Sequence, residues 1–294
     1  MSLRGYIIEK YNNMTNAYTC NRLVSEAEYL GIDLKIVGIH DCIITSDGIY
    51  NNGQLMQKRD FIINRYKWGK LKDRINCFAT RSYNPLDEFD TYINKYEQVE
   101  KLKSDAFIVP KYILGTSRSS YENLSDYLGT PIVAKGLESS MGEQVKLIEN
   151  ADDLNSLLEK YDTEKEWLFE EYISTSFGRD MRFYSIRGNV IACMQRKSQG
   201  DFRANVALGA SVEPYEITPY IKQIAKDIYE QTNLDFLGID LMFGEDKPYF
   251  CEINVMPGLE GIEKASGKNI AREIIKTIKG DFINEQNGSG RFCL

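Results

Sequence analysis

The chain has 294 residues, 43% of them hydrophobic, with a net charge of −7 and a pI near 5.1. That is enough apolar material for a sizeable core and a length suited to about two domains, while the acidic balance argues against a general nucleic-acid or membrane surface and allows only local basic pockets. A single histidine, His40, excludes a His-based metal site. The six dispersed cysteines lack C-x-x-C spacing, and no apolar leader or membrane-length run is present, so the expectation is a cytoplasmic protein with reduced thiols.

Arg4 to Lys10 reads as a strand. Asn16 to Leu30 reads as a helix with Ala17, Cys20, Leu23, Val24, Ala27 and Leu30 on one face and Gly31 as its C-cap; Ile32 to Ile39 and Phe61 to Asn64 read as further strands. This spacing predicts a small α/β unit in about the first ninety residues. No G-x-G-x-x-G follows the first strand, so a dinucleotide fingerprint is missing. Tyr92 to Gln98 opens a charged helix, and Pro110 precedes a strand. Pro131 to Lys135 is a short apolar strand closed by a lysine, and the small-residue loop Gly136 to Val145 can fold over phosphates with its N–H groups. Asn150 caps a helix carrying Leu154, Leu157, Leu158 and Tyr161.

Trp167 to Ile173 reads as a strand ending in an acid pair. Phe183 to Ile186 and Val190 to Met194 form a strand pair joined at Arg187-Gly188-Asn189. Around that pair, Gly178-Arg179-Asp180-Met181-Arg182 and Arg196-Lys197 through Arg203-Ala204-Asn205 concentrate basic residues. In an acidic protein such a cluster asks for an anionic partner, the alternative being a solvated basic face. Thr218-Pro219 starts an amphipathic helix with Ile221, Ile224, Ala225, Ile228 and Tyr229 inward. The last predicted helix runs from Ile270 to Lys279, with Gly280 after it and a frayed polar tail from Asn284 to Leu294. Gly261 to Lys268 superficially suggests a P-loop, but Asn269 replaces the Ser or Thr that a P-loop requires.

The most informative stretch is Phe236 to Asn254. Two apolar runs, Phe236 to Phe243 and Pro248 to Ile253, flank a Gly244-Glu245-Asp246-Lys247 turn, the pattern of an antiparallel hairpin. Alternation puts Asp240 on the face opposite Leu237, Ile239 and Leu241, and groups Phe250, Glu252 and Asn254 against Tyr249, Cys251 and Ile253. Asp240 then faces Glu252, with Asn254 a pleat away. Like charges directly across a sheet destabilise it, and a hard divalent cation removes that objection, because two carboxylates and an amide oxygen suit Mg²⁺ or Mn²⁺. A solvated acidic face is the alternative.

The run Glu252-Ile253-Asn254-Val255-Met256-Pro257-Gly258-Leu259-Glu260-Gly261-Ile262-Glu263-Lys264 closely resembles the metal-binding end of the ATP-grasp ligases, specifically the RimK-type α-L-glutamate ligases. G-R-D-M-R followed by R-K-x-x-G-D-F-R-A-N resembles the same family in order and spacing. The likeness covers Lys95 to about Lys279 and, more loosely, the first ninety residues; Ser139 and Gln144 stand where the family carries glycine. It implies an α/β (α+β) class: an ATP-grasp fold behind a small N-terminal α/β pre-ATP-grasp domain. The boundaries it implies are 1–92 for that domain, 93–175 and 176–283 for the central and C-terminal ATP-grasp subdomains, the latter holding the metal site, and 284–294 for a flexible tail.

For the site, the resemblance implies Mg²⁺ (or Mn²⁺) at Asp240, Glu252 and Asn254, ATP phosphates at Lys95 and Lys135, and adenine beside Glu171 and Tyr172. It implies further that Asp180 touches the nucleotide or its ribose, that Arg203 with Ala204 and Asn205 lies at the transferring phosphoryl group, and that Arg182 grips the carboxylate or its acyl phosphate. The implied activity is an ATP-dependent carboxylate–amine ligase working through an acyl phosphate. It would join glutamate or a similar amino acid to a carboxylate on a peptide, protein tail or metabolite, without nucleic-acid or membrane partners, and as a homo-oligomer if it follows the family. Two other readings stay open on the residues: a kinase of the same fold acting on a hydroxyl, and a non-catalytic nucleotide-binding module.

Overall fold

The computed structural model describes residues 2–13, 18–67, 69–139 and 142–286, without the side chains of Lys70, Leu158, Ala207, Glu285 and Gln286. Strands β1 (Arg4–Glu9), β2 (Asp33–Gly38), β6 (Arg59–Asn64) and β7 (Ala79–Tyr83) form a parallel sheet in the order β2-β1-β6-β7. Between β2 and β6 the chain makes a small antiparallel sheet, β3 (Cys42–Ile44), β4 (Ile49–Asn51) and β5 (Gln54–Leu55). Strands this short carry too little alternation to be read from sequence.

The centre of the parallel sheet is covered on both sides, which is why β1 and β6 read as nearly continuous apolar runs. Ile7, Phe61 and Ile63 pack on helices α1 (Tyr18–Tyr29) and α9 (Ile270–Gln286). Tyr6, Ile8 and Ile62 pack toward the small sheet and α2 (Gly69–Asn76). Asn16 and Ala17, expected to open the first helix, lie outside the described residues. The final helix departs from expectation, because it runs through Gly280 to Gln286. A glycine inside a helix costs about 1 kcal/mol, and tertiary contacts offset it: Phe282 lies 6.1 Å from Phe61, ring to ring, and Asp281 accepts hydrogen bonds from Arg187 and Tyr83. Asn284 is therefore helical, and residues 287–294 lie outside the described residues.

Helices α3 (Leu86–Tyr92) and α4 (Lys95–Lys101) lead to the second sheet. It is antiparallel, with order β10-β9-β11-β8 for β8 (Tyr112–Thr116), β9 (Ile132–Gly136), β10 (Val145–Ile148) and β11 (Glu166–Glu171). Helices α5 (Tyr121–Leu128) and α6 (Ala151–Lys160) cover one face, burying Trp167 and Phe169 against Leu124, Leu154 and Leu157. Asn150 caps α6 as expected, its side chain accepting the N–H groups of Asp152 and Asp153.

The third sheet has the order β14-β13-β12-β15-β16, formed by β12 (Arg179–Ile186), β13 (Asn189–Lys197), β14 (Ser211–Pro214), β15 (Phe236–Met242) and β16 (Tyr249–Asn254). Phe183, Cys193 and Ile239 meet α7 (Pro219–Thr232), and Tyr184, Met194 and Phe236 meet α8 (Glu260–Ser266) and α9. Strands β12 and β13 run farther into polar sequence than their apolar cores suggested, since their charged ends pair with each other across the sheet.

The predicted hairpin is present, and Asp240 pairs with Glu252. Its facing pattern needs one correction. Leu241 pairs with Phe250, so Cys251 is an extra residue, a β-bulge. Phe250 consequently turns into the core, fully buried with its ring 5.4 Å from that of Phe107, rather than sharing the face of Glu252. Cys251 and Glu252 instead line one cavity together.

Candidate active site

The second and third sheets line an open cavity of about 840 Å³, a volume that takes in the solvent at its mouth. Lys135 is the penultimate residue of β9, with its side chain buried. A lysine there usually snorkels to water, but this one pairs with Glu170 on the adjacent strand β11 (Nζ–Oε2 2.6 Å) and donates to the Cys251 carbonyl at 3.4 Å. Burial opposes the charge on Lys135, yet Glu170 and its neighbours outweigh it and keep the ammonium protonated. The same burial pushes the Glu170 carboxyl upward. Glu170 Oε1 is buried and has no hydrogen-bond partner among the described residues. Leaving such an oxygen unsatisfied is costly, so a ligand donor beside β11 fits this wall. Glu171 and Tyr172 continue the wall, with the Glu171 carboxylate turned to the Lys111 N–H at 2.8 Å.

Lys95, the first residue of α4 behind the cap Asn94, donates to the Ser139 carbonyl at 2.6 Å and lies 3.2 Å from Glu252 Oε2. It thus bridges the loop after β9 to the β15–β16 hairpin. Arg203 is held by Asp201 (Nε–Oδ1 3.0 Å, Nη2–Oδ2 2.7 Å) and donates from Nη1 to the Gly142 carbonyl at 2.9 Å. Ala204 and Asn205 line the cavity beside it. Ser140 and Met141, at the centre of the expected phosphate loop, lie outside the described residues.

Strand register builds the charged centre. Asp180 lies opposite Arg196, Arg182 opposite Asp240, and Asp240 opposite Glu252. Arg182 clamps Asp240 through Nε and Nη2 at 2.6 and 2.5 Å; Arg196 clamps Asp180 with two bonds of 2.6 Å and reaches Asp240 at 2.7 Å. Burial works against the Asp240 carboxylate, but the two arginines outweigh it and hold its pKa below the usual range. Burial pushes Asp180 up to about 6 despite Arg196. The arginines, not a cation alone, answer the like-charge objection raised by Asp240 and Glu252.

A divalent cation fits this donor set in part from the protein. The arginines occupy three of the roughly four acceptor positions that a carboxylate offers, which leaves one on Asp240. Glu252 is the more open partner, 24% exposed, with Arg182 at 4.0 Å. Asn254 Oδ1 accepts the Met256 N–H at 2.9 Å and lines an adjoining cavity rather than this one. Among the described residues no three His, Cys, Asp or Glu side chains form a self-sufficient metal cluster, so phosphate oxygens would have to complete the shell.

That adjoining cavity lies between the parallel sheet and the hairpin. It shares Lys95, Ser139, Arg196, Asn205 and Glu252 with the first cavity, and Arg182 also lines it. Lys95, Lys135, Arg203, Asp240 and Glu252, all expected from the sequence, converge on the first cavity. Glu170 was expected only as half of an acid pair and Arg196 only as part of a basic cluster, neither with a role of its own, and the second cavity was not expected. The usable signal for Glu170 was Lys135 itself, because a lysine closing a buried strand needs a buried partner.

A family model described as a RimK-like ATP-grasp domain matches residues 93–278. The chain belongs to the RimK-like ATP-grasp family. A probable alpha-L-glutamate ligase of Psychromonas ingrahamii is 30% identical to this RimK-like chain, over 93% of it and 96% of the relative. Among solved structures, the D-alanine–D-alanine ligase of Bacillus anthracis complexed with ATP matches with a TM-score of 0.70 at 16% identity, covering 98% of this chain and 100% of that one. The ATP-grasp ligase PsnB, complexed with minimal precursor, Mg and ADP, matches with a TM-score of 0.67 at 15% identity, covering 95% and 98%. At such identities these two show the fold, which is the expected ATP-grasp architecture. The RimK-like chain is an ATP-dependent ligase. Among its described residues no helix is long and apolar enough to cross a membrane.

Proposed function

We propose that this RimK-like ligase adds glutamate or a similar amino acid to a peptide, protein or small-molecule carboxylate through an acyl phosphate. The observation that carries the reading is the shared wall of Lys95, Ser139, Arg196, Asn205 and Glu252, where the nucleotide-side cavity opens onto the second one. In this reading a substrate carboxylate attacks the γ-phosphate of ATP, ADP leaves, and an amine then displaces phosphate. One anion must approach another, so the site has to neutralise charge before it can position anything.

Lys95 and Lys135 take the phosphates, Glu171 and Tyr172 border the adenine, and Asp180 meets the ribose side. Asp240, Glu252 and Asn254 would hold Mg²⁺, or Mn²⁺ in its place, which when bound supplies charge neutralisation at the phosphates. Arg203, with Ala204 and Asn205, reaches the transferring group by exchanging its bond to the Gly142 carbonyl. Arg182 suits the carboxylate or acyl phosphate, because its Nη1 has no partner among the described residues while Nε and Nη2 hold Asp240. Residues 1–92 form the substrate side, and 93–175 with 176–283 the nucleotide side.

The test is ADP release with Mg²⁺-ATP, hydroxylamine and a panel of amino acids and carboxylates. Substrate-dependent ADP with a hydroxamate is expected, and both should vanish in Asp240→Asn. ADP formation with phosphate retained on a hydroxyl, and no hydroxamate, would overturn the acyl-phosphate route.

A further inference from the structure

We propose that Glu9 and Arg65, in the second cavity, recognise the α-amino-acid end of a substrate, Arg65 gripping its carboxylate and Glu9 its ammonium. This names the substrate side of the ligase reading and rests on it. Glu9 ends β1 and Arg65 immediately follows β6, so two neighbouring parallel strands deliver the pair at their carboxyl ends, where open parallel sheets bind ligands.

The pair is fixed from several sides. Arg65 Nε donates to Glu9 Oε1 at 2.9 Å, and its Nη1 donates to the Pro257 carbonyl at 3.2 Å. Cys20 Sγ donates to the same Glu9 oxygen at 3.2 Å. Burial pushes the Cys20 thiol up to about 12, so it stays a donor and does not compete as a thiolate. Both Glu9 and Arg65 line the cavity.

The pairing uses only part of each group. A closed structural salt bridge between arginine and a carboxylate is commonly bidentate. Here Arg65 meets Glu9 at one oxygen, and Arg65 Nη2 and Glu9 Oε2 have no partner among the described residues. A guanidinium nitrogen and a carboxylate oxygen left over on one ion pair match the carboxylate and ammonium of an amino acid. Glu9 is 7% exposed as a residue, so a ligand lacking either group would leave one charge of a largely buried pair without its counterpart. Pro257 belongs to the turn that follows Glu252 and Asn254, so the anchor on its carbonyl also sets the amino-acid end relative to the charged centre.

The experiment is calorimetric titration of the full chain, with Mg²⁺-ADP present, against the protein amino acids. L-glutamate is set beside 4-aminobutyrate, which lacks the α-carboxylate, and glutarate, which lacks the amine. At least one amino acid should bind about 10- to 100-fold tighter than its decarboxylated or deaminated counterpart, as expected for a hydrogen bond to a charged group. Arg65→Lys should erase the preference over the decarboxylated analogue and keep that over the deaminated one; Glu9→Gln should do the reverse. Circular dichroism melting shows whether each variant is folded. Equal binding of acid and analogue by the wild type, equal weakening of all ligands in Arg65→Lys, or no binding by any amino acid overturns the assignment. Hydroxamate formation is read separately, so the ligase reading can stand while this assignment falls, and the reverse.

Discussion

The two ends of the β12–β15 strand pair carry the same kinds of residue with different consequences. At one end Arg182 and Arg196 hold Asp240 and Asp180. At the other, Arg187 holds Asp235 at 2.8 Å and clamps Asp281 of α9 at 2.8 and 2.6 Å, and Asp281 also accepts the Tyr83 hydroxyl at 2.6 Å. Both are fork-to-carboxylate clusters of the stronger kind. The Arg187 cluster joins the first sheet, the third sheet and the last helix. The Arg182 cluster instead opens on two cavities, with the partly exposed Glu252 beside it. A cluster of arginines and aspartates is thus a candidate site only when the surrounding fold leaves one side open, and residue type alone would nominate both.

Substitutions at the two ends separate these roles. Asp240→Asn should have the largest effect, losing turnover and also about 3–5 kcal/mol of stability, since the buried Arg196 and the partly buried Arg182 are left around a neutral amide. Urea unfolding followed by ADP release measures both, and a variant of wild-type stability would show that the cluster does not depend on this charge. Glu252→Gln should lose turnover by about 100- to 1000-fold, as for removal of a group stabilising transition-state charge. Its unfolding midpoint should stay where it was, because Glu252 is partly exposed. Arg187→Leu should do the opposite, costing about 1–3 kcal/mol with turnover retained below the melting temperature; a loss of turnover in the folded variant would break the contrast.

The smallest effect concerns pH. Burial opposes the charge on Asp281, but hydrogen bonds from Arg187 and Tyr83 outweigh it and depress its pKa. A carboxyl depressed in the folded state stabilises above its unfolded value, near 4, and that contribution disappears as pH falls through the folded value. Asp281→Asn should therefore be less stable than wild type at pH 7, with the gap narrowing by about pH 3, as unfolding midpoints at the two pH values would show.

Local signals were enough wherever the determinant was itself local. The cap at Asn150, the helix start at Thr218-Pro219 and the hairpin from Phe236 to Asn254 follow from turn chemistry and side-chain period, and the same period set Asp240 against Glu252. The motif from Glu252 to Lys264 pointed to the family that the comparisons establish. Tertiary structure decided whatever depends on register and on residues far apart in the chain. One bulged residue moved Phe250 into the core, and contacts to Phe61 and Arg187 carried the last helix through Gly280. Glu170 became the partner of Lys135, Arg196 came to join Asp180 to Asp240, and Glu9 met Arg65 across two strands. Periodicity assigns each side chain to a face, but a buried charge is settled by the neighbour that packing brings within hydrogen-bond reach, and that neighbour is chosen only when the sheets are assembled.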